Sequence, residues 1–176
     1  GVSSAASDVY KRQAIGQGVW IAFLVTLLVT RLGMSLTMAG VYFSIMQVTG
    51  VFGRILLGFI ADRMGSGRKT LRLNAFASAL TTFALVFLGP DWPVWSLVLL
   101  CSVAGVTVTS WNGVQIAEIA RLAPLEHLRE AASGATLILF FGYVIGPVGF
   151  ALTMAWTGGV QTGLLATCVM ISLSHL

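Results

Sequence analysis

The stretch Gly58-Phe59-Ile60-Ala61-Asp62-Arg63-Met64-Gly65-Ser66-Gly67-Arg68-Lys69 is basic and turn-like, and long apolar runs flank it on both sides. A helical hairpin leaves a bilayer at such a turn. Inside hydrocarbon no water is available, so each backbone amide must be paired within its own helix or a closed barrel. A barrel would need apolar and polar residues to alternate along its strands, and these runs do not alternate. Of the 176 residues, 57% are hydrophobic and 9% charged, against about a quarter charged in a soluble domain. The sequence therefore predicts an all-α, polytopic membrane protein in contact with a lipid bilayer.

Six apolar spans are expected, at residues 14–30, 36–60, 70–89, 94–117, 134–156 and 160–176. Helices of about 17–25 residues cross a hydrocarbon core of about 30 Å. Ser35 is placed to cap the second span, and Gly89-Pro90-Asp91-Trp92-Pro93 stops the third. Residues 1–13, GVSSAASDVYKRQ, are polar and end abruptly against the first span. They have no n-region and cleavage site of a signal peptide and resemble translated sequencing-adapter sequence. We set them apart as a non-native extension and take 14–176 as the membrane domain, expected to be truncated at both ends.

The net charge of +4 reads as topology information, not as a nucleic-acid footprint. Arg63, Arg68, Lys69, Arg72, Arg121 and Arg129 lie in the second and fourth loops, and the odd-numbered loops hold only Arg31. The positive-inside rule puts loops 61–72 and 118–133 in the cytoplasm, with the chain spanning the cell membrane several times. In the fourth loop Glu126 and Arg129 are three apart and spaced to pair on a helix.

Arg54 is the most unusual residue. It precedes Asp62 by eight positions, about 12 Å along a helix at 1.5 Å per residue, and an arginine at that depth needs a partner or a water-filled cavity. Glu118 is the candidate partner in an ion pair at the cytoplasmic rim; a role in anion binding or gating is the other reading. Gln17, Trp20, Gln47, Trp111, Asn112, Gln115 and Tyr143 are candidate cavity-lining residues. Helix-to-helix hydrogen bonding is the alternative for the amides. Pro147, between Gly146 and Gly149, is expected to kink the fifth span. Cys101 and Cys168 stand alone in apolar segments and read as small packing residues. No nucleophile–base spacing, metal-ligand set or phosphate-cradling loop is present. The sequence thus gives no reason to expect an enzyme, a cofactor or a metal.

Gly58-x-x-x-Asp62-Arg63-x-Gly65 followed by Arg68-Lys69 resembles the loop signature of the major facilitator superfamily, with Ser66 and Gly67 inserted before the basic pair. The runs 46–54 and 111–118 look like second-half sequence of that family, and the fourth span lacks the buried arginine often found in first halves. The resemblance implies family helices seven to twelve, arranged as two inverted three-helix repeats. It also implies a missing N-terminal half as partner and a small-molecule substrate moved by alternating access. Gly58, Asp62, Arg63, Gly65, Arg68 and Lys69 would form a conformational latch, with Asp62 facing a helix end of the other half. A channel or a non-transporting scaffold is the alternative. A cysteine placed at Ser66 should react with a membrane-impermeant thiol reagent only after cells are opened; labelling of intact cells would invert the topology.

Overall fold

The computed structural model describes residues 4–173, and every regular element in it is helical. Residues 1–3 of the polar extension and 174–176 of the sixth expected span lie outside the described residues. α1 is Ser4–Leu32, α2 Leu36–Met64, α3 Gly67–Val86, α4 Val94–Ala104, α5 Asn112–Leu122, α6 Leu128–Thr157 and α7 Val160–Ser172. A π-helical turn, Gly105–Thr109, follows α4, and a 3-10 turn, Leu125–His127, precedes α6. The polar residues before position 14 enter α1 without a break.

Among the described residues, four helical stretches are long and apolar enough to cross a membrane: Tyr10–Leu32, Leu36–Met64, Val94–Leu122 and Leu128–Thr157. The third and sixth expected spans are the exceptions. α7 has only 13 described residues. α3 has 20, but Asn74, Ser78, Thr81 and Thr82 dilute its apolar character.

The basic hairpin is tighter than the sequence suggests. α2 runs on through Asp62 and Arg63 to Met64, and only Gly65 and Ser66 separate it from α3. Gly65 takes the left-handed conformation, φ 61°, and its N–H donates to the Asp62 carbonyl, a conformation that costs glycine no Cβ clash. Ser66 caps α3 by accepting from the Lys69 N–H at 3.3 Å. Ser35 caps α2 as expected, accepting from the Met38 N–H at 3.3 Å. The fourth loop is likewise mostly helix, since α5 extends to Leu122 and α6 starts at Leu128. There Glu126 does not pair with Arg129. His127 lies between two acids instead, 3.9 Å from Glu126 and 3.4 Å from Glu130.

The core sits where α1, α2, α4 and α7 converge, around Trp20, Leu24, Leu28, Met46, Leu97 and Leu164, all nearly inaccessible. Two glycine seams bring backbones close. On one, a Cβ at Gly105 of the π turn would collide with the Met46 carbonyl and the Thr49 hydroxyl of α2. A Cβ at Gly53 would lie 2.8 Å from Val106. On the other, Gly142 and Gly146 of α6 face Ala14 and Ile15 of α1. α6 carries Pro147 in its interior, against Gly18 of α1, and stays helical to Thr157.

Gly105→Ala is expected to destabilise the fold by about 1–3 kcal/mol, the usual cost of overpacking. Thermal unfolding of the detergent-solubilised protein would register it. An unchanged melting temperature would mean that the α2–π contact is looser than described.

Candidate functional site

The site begins with Gln17 on α1. Its side chain is buried, and its Oε1 accepts two hydrogen bonds, from Trp111 Nε1 at 3.0 Å and from the Tyr143 hydroxyl at 3.0 Å. The Tyr143 oxygen in turn accepts from Asn112 Nδ2 at 3.4 Å. One side chain from α1, one from α6 and two from the start of the α5 region thus form a single network. The π turn and the short break at Ser110–Trp111 turn the chain so that Trp111, fully buried, points at α1. Tyr10 stacks on its indole at 6.5 Å. Asn112 and Tyr143 are half-buried, so the network reaches the surface on one side.

Four of the seven residues expected to line a cavity therefore come together: Gln17, Trp111, Asn112 and Tyr143. The other three do not join them. Trp20 turns toward α3 and donates its Nε1–H to the Thr82 hydroxyl at 2.9 Å. Gln47 is exposed on α2, because Met46 and Gly50 take the inward face. Gln115, one turn along α5 from Trp111, is buried at 1% exposure. Neither of its amide atoms, nor Asn112 Oδ1, has a hydrogen-bond partner among the described residues.

The expected Arg54–Glu118 pair is not formed. Glu118 is 5% exposed and bonds Arg121 at 3.1 Å. Arg54 is exposed, and its Cβ lies opposite Gly113, where a Cβ on that glycine would be 3.8 Å away. Glu118 is five residues past Gly113, about 7.5 Å along the helix axis. It is also on the buried face while Gly113 is on the exposed one. Glu118 packs instead against the first residue of α3: a Cβ at Gly67 would sit 2.6 Å from its Oε2. A carboxylate there faces the positive end of the α3 dipole and shares the first turn with Arg68 and Lys69.

At this rim lies a groove of about 390 Å³, lined by Gly58, Asp62, Gly65, Gly113, Glu118 and Arg121 among others. Asp62 is exposed and forms no ion pair with Arg63 or Arg68. The Arg63 guanidinium lies over the Phe59 ring, 4.9 Å from its centroid. Of the expected latch residues, Gly58, Asp62 and Gly65 thus border the groove. Arg63, Arg68 and Lys69 are exposed around the turn.

A second polar network was not anticipated. The Thr107 carbonyl, inside the π turn, accepts from Asn74 Nδ2 and from Ser78 Oγ, each at 2.7 Å, and the Thr107 hydroxyl meets that of Thr81 at 3.2 Å. The spacing 74, 78, 81–82 of small polar residues inside an apolar run was the available signal, because it places them on one face of α3.

This is a polytopic helical membrane protein with a small-residue groove at a charged rim and a separate amide–aromatic network. It belongs to the Major Facilitator Superfamily, whose family model matches residues 13–147. An uncharacterized MFS-type transporter of Mycobacterium tuberculosis is 31% identical over 107 residues, which are 61% of this chain and 24% of the relative. The class E tetracycline resistance protein of Escherichia coli is 26% identical over 127 residues, 72% of this chain and 30% of its own. The methylenomycin A resistance protein of Bacillus subtilis is 27% identical over 152 residues, 82% and 32%. The chain thus spans about a quarter to a third of the curated relatives it matches. No solved structure matches.

Gln17→Leu should bare the Trp111 N–H and the Tyr143 O–H, at about 1–3 kcal/mol for each buried donor left unpaired. Gln17→Glu keeps the acceptor and should cost less. Melting temperatures of the two variants would rank them; equal losses would show that the volume of residue 17 matters and its acceptor does not.

Proposed function

We propose that this chain is the C-terminal half of a secondary transporter that moves a small organic solute by alternating access. In this reading residues 14–176 are six membrane-crossing segments arranged as two inverted repeats, and α3 and α7 cross although they are less apolar or shorter than the rest. The extension 1–13 is foreign to the natural polypeptide. The membrane is the cell membrane, and the α2–α3 and α5–α6 turns face the cytoplasm. The solute path runs between this half and an N-terminal half of the same polypeptide, as expected for repeat-built transporters with a midplane site.

The groove beneath Asp62 is the observation that carries the reading. Its wall is made of Gly58, Ala61, Gly65, Gly67, Gly113 and Ala117, with Asp62 and Glu118 beside them. Small residues let another helix approach to backbone distance, and a free carboxylate favours the positive N-terminus of such a helix. A helix of the other half docked here would close the cytoplasmic side, and its departure would open it. Asp62 then biases one conformation without touching solute. Gln17, Asn112 and Tyr143 lie deeper, where the solute would pass. The amide–aromatic chemistry suits a small organic molecule, and two relatives are named for antibiotic resistance.

The test is flux through the full-length protein in liposomes. A panel of small organic acids, sugars and amines should include at least one solute with saturable uptake and counterflow. Asp62→Asn should lower its rate several-fold at unchanged protein level and leave solute binding intact. Non-saturating flux without counterflow would indicate a channel, and absence of flux for the whole panel would remove the transport reading.

A further inference from the structure

We infer that the transported solute is a carboxylate-bearing organic anion and that Arg54 is the group that reads its charge. This rests on the transport reading above and narrows it.

Arg54 lies on α2 about 12 Å from Asp62 along the helix axis, well inside the segment long enough to cross the membrane. The acid that spacing offered it is committed elsewhere, since Glu118 is buried on Arg121 at the rim. Among the described residues no carboxylate forms an ion pair with Arg54. An unpaired guanidinium at membrane depth persists where water reaches it, and Arg54 is exposed, with its Cβ opposite Gly113 of the groove wall. The only acids lining that groove, Asp62 and Glu118, stand at its cytoplasmic end.

The aromatic donors nearby are already committed. Trp111 gives its N–H to Gln17, and Tyr143 gives its O–H to the same oxygen. Asn112, adjacent to Gly113, spends one amide hydrogen on the Tyr143 oxygen and has a second to give. Tyr143 is also within electrostatic reach of Arg54. The one cation at this level among the described residues is therefore a planar guanidinium fork, with an Asn112 amide N–H beside it and the Gln115 amide unpaired. A carboxylate accepts from the fork through both oxygens, and a lone-pair position remains for the amide. An ammonium group would meet the Arg54 charge with only the neutral amide oxygens of Asn112 and Gln115 to accept from it, whereas a carboxylate neutralises the guanidinium.

The experiment uses the full-length protein in liposomes and charge-matched probes: benzoate, lactate and succinate, each beside its neutral amide, with benzylamine as the cation. Carboxylate uptake is expected, without competition from the amides or the amine at about tenfold excess. Arg54→Gln should raise the carboxylate KM by about tenfold or more with an unchanged melting temperature, and Arg54→Lys should recover part of the loss. If a neutral or cationic solute is carried and none of the carboxylates, the inference fails while transport stands. Carboxylate uptake with an unaltered KM in Arg54→Gln would also overturn it and would assign Arg54 to an acid of the other half. If no solute of either sign moves, both readings fall together.

Discussion

No water is available in hydrocarbon to satisfy a stray hydrogen-bonding group, and the arrangement of this fold follows from that. An α-helix satisfies its own backbone only while the i to i−4 ladder is unbroken. The π turn at Gly105–Thr109 breaks the register, and the Thr107 carbonyl takes its bonds from outside, from Asn74 and Ser78. Those two side chains, with Thr81 and Thr82, must then lie on α3 and face inward. That is why α3 is the least apolar of the long helices and why much of its surface is buried. The irregularity in one helix thus dictates the composition of another.

Close backbone approach accompanies the break. Gly105 and Gly53 allow the π turn to sit directly on α2, and Gly142 and Gly146 allow α6 to sit directly on α1. Packing on lipid-exposed helices cannot draw on exclusion from water, because lipid tails are as apolar as the side chains they would replace. Van der Waals contact and interhelical hydrogen bonds are what remain. The two seams supply the first and the Gln17 and Thr107 networks supply the second, on opposite sides of the Val94–Leu122 stretch. The Val94–Leu122 stretch is bonded to α3 through Thr107 and to α1 and α6 through Trp111 and Asn112, and it contributes Gly113 to the groove wall.

Much of this was legible in the residues. The helical character of the apolar runs, the Ser35 cap and the glycine-bounded turn at Gly65 follow from local chemistry, and the structure agrees; four of the six expected spans are matched among the described residues by a helical stretch long and apolar enough to cross. Gln17, Trp111, Asn112 and Tyr143 could be nominated because polar groups in apolar spans are few. Which of the nominees would meet was a matter of rotation about each helix axis. Trp20 is three residues from Gln17, yet its indole N–H goes to Thr82 of α3. Gln47 shared the spans' apolar context but fell on the outward face. The Thr107 network stayed hidden for a different reason: its acceptor is a backbone atom, freed by a register shift that no residue type announces.

The rim and the path divide their charges by the same geometry. Glu118 and Gly113 are five positions apart on α5, hence on different faces as well as at different depths, and one carboxylate cannot serve both levels. At the rim it is bonded to Arg121 and lies against the α3 N-terminus, where it offsets the dipole and the basic first turn. Moving it toward Arg54 would leave Arg121 and that helix end uncompensated. Asp62 cannot substitute, since it lies about 12 Å away along α2 and borders the groove mouth. The outcome is a rim rich in opposed charges and a deeper level with one cation and no acid to match it. Under the transport proposal, the first arrangement suits a closure that must break and re-form, and the second suits a passenger that brings its own charge.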